Sequence, residues 1–407
     1  KDHLDNVVPD RPAALWSKDG HSLWVNSAAL AKASITAETT VPEGGVIEID
    51  PGTGNLTGIL KENAIALVIE HTPEHDDDLS PDLFRQAMAQ ANCFGITQIH
   101  DMDGLSWIET YRELCRQGEA TLRAVLMIPE PFPENLPPRQ EIASAGPGWI
   151  FPGHIKILAD GALGSSTAWM WEPYENASSN SGMPLMPESR LEEMIKWGKG
   201  QGYPAAVHAI GDRAVTSCAR IMSSLNHHPR SGLPPHRIEH AQCIRAEDMK
   251  LVAEAGIFLS MQPVHYLSDR EIILSKWGSR QGKAFPFRSL LYKGACLAFG
   301  SDCPIENWDP FRGIYAAVAR PGKDGADTGI DDVLLPQERI SPRDALYAFT
   351  RGAAHAGGIG DRLGKIAPGM IADLAVLDRD LLTVKPEEIP DTKVTLTIVN
   401  GKVVYGR

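Results

Sequence analysis

HIKILADG, residues 154–161, is a short apolar run that closes on an acid and a glycine. Successive side chains of a strand point to opposite faces, so Ile155, Ile157 and Ala159 share one face while Lys156, Leu158 and Asp160 share the other. With the isoleucines under helices, Lys156 points into the interior of a sheet buried on both sides. Outward from this stretch the same design recurs, with strands expected at 96–102, 122–128, 154–160, 205–210, 236–240, 257–262 and 296–301 and helix-length amphipathic segments between them. That is an α/β pattern of repeated βα units. Seven parallel strands leave an open edge, and an eighth strand closing a (β/α)8 TIM barrel removes it. The missing first strand is expected upstream of Lys1, because the chain starts without methionine and residues 1–95 read as an insertion: a Pro-flanked run at 13–16, a Gly-rich stretch at 44–58 and a helix at 80–94.

Beyond residue 340 the pattern changes. A helix at 342–350 precedes RLGKIAPGMIADLAVLDRD (362–380) and VTLTIVNGKVVYG (394–406), in which Asn400-Gly401 between alternating strands signals a hairpin. Three parts are expected: the insertion and helix of 1–95, the barrel units of 96–355, and strands of a small β-sandwich in 356–407. Such a layer needs partners to bury its face, and these are expected from upstream strands.

The 407 residues, 43% hydrophobic, suffice for a large core, and a net charge of −13 argues against nucleic acid or an anionic membrane as partner. A small-molecule substrate is the expected partner, with a homo-oligomer left open. The six cysteines form no CxxC pair, and no stretch reaches the roughly 18 apolar residues of a membrane span, so a cytoplasmic location is expected.

Barrel enzymes carry their chemistry at the C-terminal ends of strands. Four expected strands end in polar groups: Lys156, His208 in AAVHAIGD (205–212), His240 in RIEHAQ (237–242) and Asp302 in LAFGSDCP (297–304). Each has a plain alternative. Lys156 could pair with Asp160, either histidine could be structural, and Asp302 could cap a loop. In RIEH, alternation places Ile238 and His240 on one face, opposite Arg237 and Glu239. Together the four groups could converge on a divalent ion. Lys156, its pKa lowered by burial, could instead act as a base or form an imine. Asp212 is expected to cap the helix that follows it, with Arg213 either paired to it or binding an anionic group. Further substrate-binding candidates are His21, Trp169, His265 and Trp308, whereas His71, His75, His227 and His228 read as exposed loop residues.

Taken in order, DGHSLWVNSAAL (19–30), IKILADGALGSSTAWM (155–170), AVHAIGDRAV (206–215), RIEHAQ, FGSDCPIENWDPF (299–311) and LGKIAPGMIADLAVLD (363–378) resemble the amidohydrolase superfamily, in the branch that includes N-substituted formamide deformylases. The resemblance implies a (β/α)8 barrel beside a β-sandwich. It implies that Lys156 is a fourth-strand lysine, carboxylated in many members, that His208 and His240 are metal ligands, and that Asp302 both touches metal and takes a proton from water. One or two divalent ions are then expected, zinc first. The implied reaction is hydrolysis of a non-peptide, amide-like C–N bond by metal-activated water. The HxH pair that family members carry on the first strand is absent from these residues. Two other readings stay open: an inactive barrel that binds a small ligand, and metal-free imine chemistry at Lys156.

Overall fold

The computed structural model describes residues 1–73, 80–175, 177–225, 233–322 and 334–406. Four strands come first, β1 (Ala14–Trp16), β2 (Ser22–Val25), β3 (Gly45–Ile49) and β4 (Leu56–Glu62), forming an antiparallel sheet in the order β1-β2-β4-β3. Leu23, Val25 and Leu60 bury one face of it against Leu30, Ile35 and Val68. The sequence reading had only an insertion here. Gly58 concealed the strand: it breaks the apolar pattern of β4 because the Val25 carbonyl leaves no room for a Cβ.

The central sheet has seven parallel strands in sequence order: β5 (Gln98–Asp101), β6 (Arg123–Pro129), β7 (Ile150–Leu158), β8 (Ala205–Ala209), β9 (Arg237–His240), β10 (Phe258–Met261) and β11 (Cys296–Phe299). Each overlaps an expected strand. Only β7 departs much, starting at Ile150 where Pro152 and Gly153 had masked it. The pairing of β6 with β7 slips there, from Leu126 opposite Pro152 to Ile128 opposite Ile155, and that irregularity accommodates the proline.

Alternation sorts the strands' two faces. Leu126, Ile155, Ile157, Ala205, Val207 and Ile238 join the main core under the helices. Val125, Met127, Phe151 and Ala206 point the other way and pack with Ala354, Ile359 and Leu363, which fill the interior toward the strands' N-terminal ends. The sheet curls so that residues of both edge strands, β5 and β11, line one cavity of about 1310 Å³.

The chain ends in an antiparallel sheet of β12 (Leu374–Leu377), β13 (Val394–Val399) and β14 (Lys402–Gly406). Asn400 and Gly401 both have positive φ, 52° and 76°, as a tight two-residue hairpin turn requires. One face of this sheet meets a helix of the same chain, Pro81–Cys93. The Thr397 hydroxyl donates to the Asn92 carbonyl at 2.6 Å, and Gly95 lies against Ala375 and Val394. A buried two-bond pair between Arg123 and Asp373 (2.6 and 3.0 Å) fastens the tail to β6. Among the described residues no helix is long and apolar enough to cross a membrane. All six cysteines are free. His71 is exposed, whereas His75, His227 and His228 lie outside the described residues.

Candidate functional site

The cavity runs from the C-terminal ends of the parallel strands along the open edge of β5 to the tail sheet, and Lys156, His208, His240 and Asp302 all line it. Lys156 and His208 arrive there by simple alternation. The β7–β8 register sets Lys156 opposite Ala206 and Leu158 opposite His208, all four on the interior face. His240 arrives differently. Alternation assigns it to the helix side with Ile238, but φ values of 73° at His240 and 45° at Ala241 turn the strand end and swing the imidazole into the cavity beside Glu239. Asp302, past the end of β11, also has positive φ (61°). Backbone of this kind costs about 1–3 kcal/mol per residue outside glycine and persists where its surroundings enforce it.

The side chains gather closely. The rings of His208 and His240 lie 4.6 Å apart, centre to centre, and those of His240 and His265 5.9 Å. Ligating atoms of His240, His265 and Asp302 all fall within 4.8 Å of one another. His240 Nδ1 is 2.8 Å from the Gln262 amide oxygen, which only accepts, so Nδ1 carries the hydrogen and the Nε2 lone pair is left for the cavity. His208 Nε2 likewise faces a carbonyl, that of Gly161 at 3.2 Å, which leaves Nδ1 unprotonated.

Electrostatics favour neutral nitrogen donors. Burial, and then neighbouring cationic groups, holds both His208 and His240 well below the ordinary imidazole range. Burial also lowers the Lys156 pKa, opposed by Glu239 and Asp302. The expected alternative partner of Lys156 is engaged elsewhere: the Asp160 carboxylate accepts the backbone N–H groups of Ile210 (3.0 Å), Gly211 (2.9 Å) and Trp169 (2.8 Å). Burial outweighs those bonds and pushes Asp160 up to about 7.

Of the substrate-binding candidates, His21, His265 and Trp308 line the cavity, and Trp169 and Arg213 do not. The Arg213 guanidinium lies over the rings of Trp169 (4.3 Å) and Trp171 (4.8 Å) instead of facing the cavity or Asp212. Nor does Asp212 cap a helix. It is the first residue of Asp212–Ser224, the cap is Gly211, and its carboxylate accepts from the Trp171 N–H at 3.0 Å. Gly211 is required because the Trp169 carbonyl occupies the place of a Cβ.

Three groups escaped the sequence reading. Glu62 holds His21 Nδ1 at 2.8 Å, an approach set by the β2–β4 register that pairs Ser22 with Lys61. Arg237 and Glu239 form a buried pair on alternate residues of β9, with Arg237 also donating to His100 Nδ1 (2.7 Å) and Ser260 (2.8 Å). Gln242 bridges His265 and Asp269, each at 3.3 Å. The alternation of RIEH already placed Arg237 and Glu239 on one face. The other two arrangements join residues distant in sequence and leave no local signal.

With this geometry in place, a model of the amidohydrolase family matches residues 1–405. The chain belongs to that family. YtcJ of Bacillus subtilis (strain 168), an amidohydrolase by name, is 31% identical over 413 residues, covering 100% of this chain and 76% of its own length. The N-substituted formamide deformylase of Arthrobacter pascens is 28% identical over 417 residues, covering 99% of this chain and 75% of its own. A metal-dependent hydrolase from Pyrococcus horikoshii OT3 superposes with a TM-score of 0.68 at 25% identity, over 94% of this chain and 74% of that one. The amidohydrolase described here is accordingly a hydrolase acting on C–N bonds.

Proposed function

We propose that this amidohydrolase cleaves a non-peptide, amide-like C–N bond of a small molecule, with a divalent ion held at the strand ends and Asp302 handling the proton. The observation that carries the reading is the convergence of Lys156, His208, His240 and Asp302 on one cavity from β7, β8, β9 and the end of β11. An eighth strand between the bare edges of β11 and β5 would complete a (β/α)8 barrel around that cavity. The tail sheet would then be one layer of a small sandwich.

The residues present fit a metal. His240 keeps a free Nε2 because Gln262 fixes its other nitrogen, the kind of outer support that orients ligating histidines. Both His208 and His240 are neutral by burial, as ligation requires. Imidazole with carboxylate suits zinc, the metal we expect in one or two copies. The depressed pKa of Lys156 favours the free amine that carboxylation needs. When bound, the ion would lower the pKa of water toward about 7 and polarise the scissile carbonyl.

The chain's own groups do the rest. Asp302 accepts the proton lost by the attacking water and returns it to the departing amine, so one carboxylate serves first as base and then as acid. Trp308 and the apolar side chains lining the cavity exclude bulk water and suit an apolar substituent. The deformylase among the relatives makes N-substituted formamides the first substrates to try.

Asp302→Asn is the test. Formate release from N-substituted formamides should fall by about 10²–10⁴-fold while fold and metal content persist. An unchanged kcat would remove Asp302 from its role. Metal analysis of the purified protein by plasma mass spectrometry should find one or two equivalents.

A further inference from the structure

His265 stands among the groups that a bound ion would attract, yet its hydrogen-bond partners give it another task. It opens the helix His265–Trp277 after β10. Its Nδ1 lies 3.3 Å from Gln242 Nε2, and the same amide nitrogen lies 3.3 Å from Asp269 Oδ2. Turning the amide over would set its oxygen against the Asp269 carboxylate, so the NH2 group serves both neighbours. The Asp269 carboxylate oxygen meets the amide nitrogen and not the amide oxygen. Asp269 therefore fixes the amide, and the amide, donating to Nδ1, fixes the imidazole.

A neutral imidazole that accepts at Nδ1 carries its hydrogen on Nε2. That atom is buried, makes no hydrogen bond among the described residues, and faces Asp302 Oδ2 at 3.6 Å. An N–H in this tautomer has no lone pair to give a metal. Aimed at a carboxylate, it is a donor waiting for its acceptor. Catalytic hydrogen bonds are often long in unliganded structures and shorten when substrate arrives.

The geometry points to His265 as a positioning residue for Asp302: the chain Asp269–Gln242–His265 presents the Nε2–H to Oδ2, holding that oxygen and leaving Oδ1 to meet the substrate. The inference rests on the reading of Asp302 as the proton-handling group. It assigns His265 to neither metal ligation nor direct substrate contact.

The test begins with the metal-loaded protein labelled with ¹⁵N-histidine, in which two-bond ¹H–¹⁵N correlations report the tautomer of each ring. His265 is identified by the signal lost in His265→Gln. Its Nε2 should be protonated and its Nδ1 bare, and Gln242→Leu should disturb that pattern. On an N-substituted formamide, His265→Ala should lower kcat by roughly 10–100-fold with KM within about 2-fold and metal content unchanged. His265→Gln, which returns an amide N–H near the place of Nε2, should recover part of that loss.

A hydrogen on Nδ1, metal lost from His265→Ala as from His240→Ala, or an unaltered kcat would each overturn the inference. If Asp302→Asn also keeps full kcat, the underlying reading falls with it. If Asp302→Asn is inactive and the His265 variants are not, the positioning role alone falls. Should His265→Ala fail to fold, the tautomer of the wild-type ring decides the matter.

Discussion

The ends of β8 and β9 lie side by side, Ala209 opposite His240, and both bring a histidine to the same cavity. They do so by different means. His208 stays within a regular strand and points inward because its position in the alternation is inward. His240 belongs by alternation to the helix side and reaches the cavity only because two successive residues adopt left-handed backbone. The first arrangement is encoded by the period of the strand. The second depends on whatever holds a strained turn in place, here the Gln262 amide on His240 Nδ1 and the bond from the Phe285 N–H to the Gln242 carbonyl at 2.7 Å.

The largest difference should appear in metal binding. His208→Asn and His240→Asn should each remove a ligand, and metal content after dialysis should fall in both. Gln262→Leu, which removes the acceptor on His240 Nδ1 and leaves both imidazoles in place, should weaken metal affinity by about 10–100-fold in chelator competition. Affinity equal to wild type would show that backbone alone aims the ring.

Acid should separate the strand ends from the cavity floor less sharply. His100 on β5, pushed down to about 3 by burial and then by Arg237, stays neutral in the fold. Between its unfolded pKa of roughly 6.5 and 3 only the unfolded chain takes up the proton. Stability is therefore full above 6.5 and falls as pH drops, by about 2 kcal/mol from pH 7 to pH 5 for this one residue. His208 and His240 shift in the same direction and should steepen the slope in the metal-free protein. Denaturant unfolding of His100→Gln at pH 7 and pH 5 should give a smaller difference than wild type, and an identical one would mean that His100 is charged in the fold.

The smallest effect tests the strain itself. Ala241→Gly relieves a positive φ and should hold or slightly raise Tm, whereas Ala209→Gly, in regular strand, should cost about 1 kcal/mol. Equal losses from the two substitutions would mean that the turn at β9 is not strained.

Much of the site was legible before the structure. HIKILADG and AAVHAIGD yield Lys156 and His208 directly, because a strand's period is set by its own chirality and sterics. Asp302 was legible as a polar group ending an apolar run. Trp169 and Arg213 misled: both follow strand ends, but the guanidinium found two indole faces nearer than the cavity. The sheet of residues 14–62 was missed because a glycine forced by close backbone approach looks, in a sequence, like a loop.

By itself the sequence determined the seven-strand parallel sheet, the hairpin at Asn400-Gly401 and the inward direction of Lys156 and His208. All of these follow from local periodicity and from the backbone preferences of single residues. Only the tertiary structure decided that His240 turns inward, that His265 stands over Asp302 with its tautomer fixed by Gln242, and that Glu62 from an antiparallel sheet holds His21 at the cavity wall. Those outcomes depend on the sign of φ at a packed strand end and on hydrogen bonds between residues 22 to 41 positions apart, which form only once the chain has folded around them.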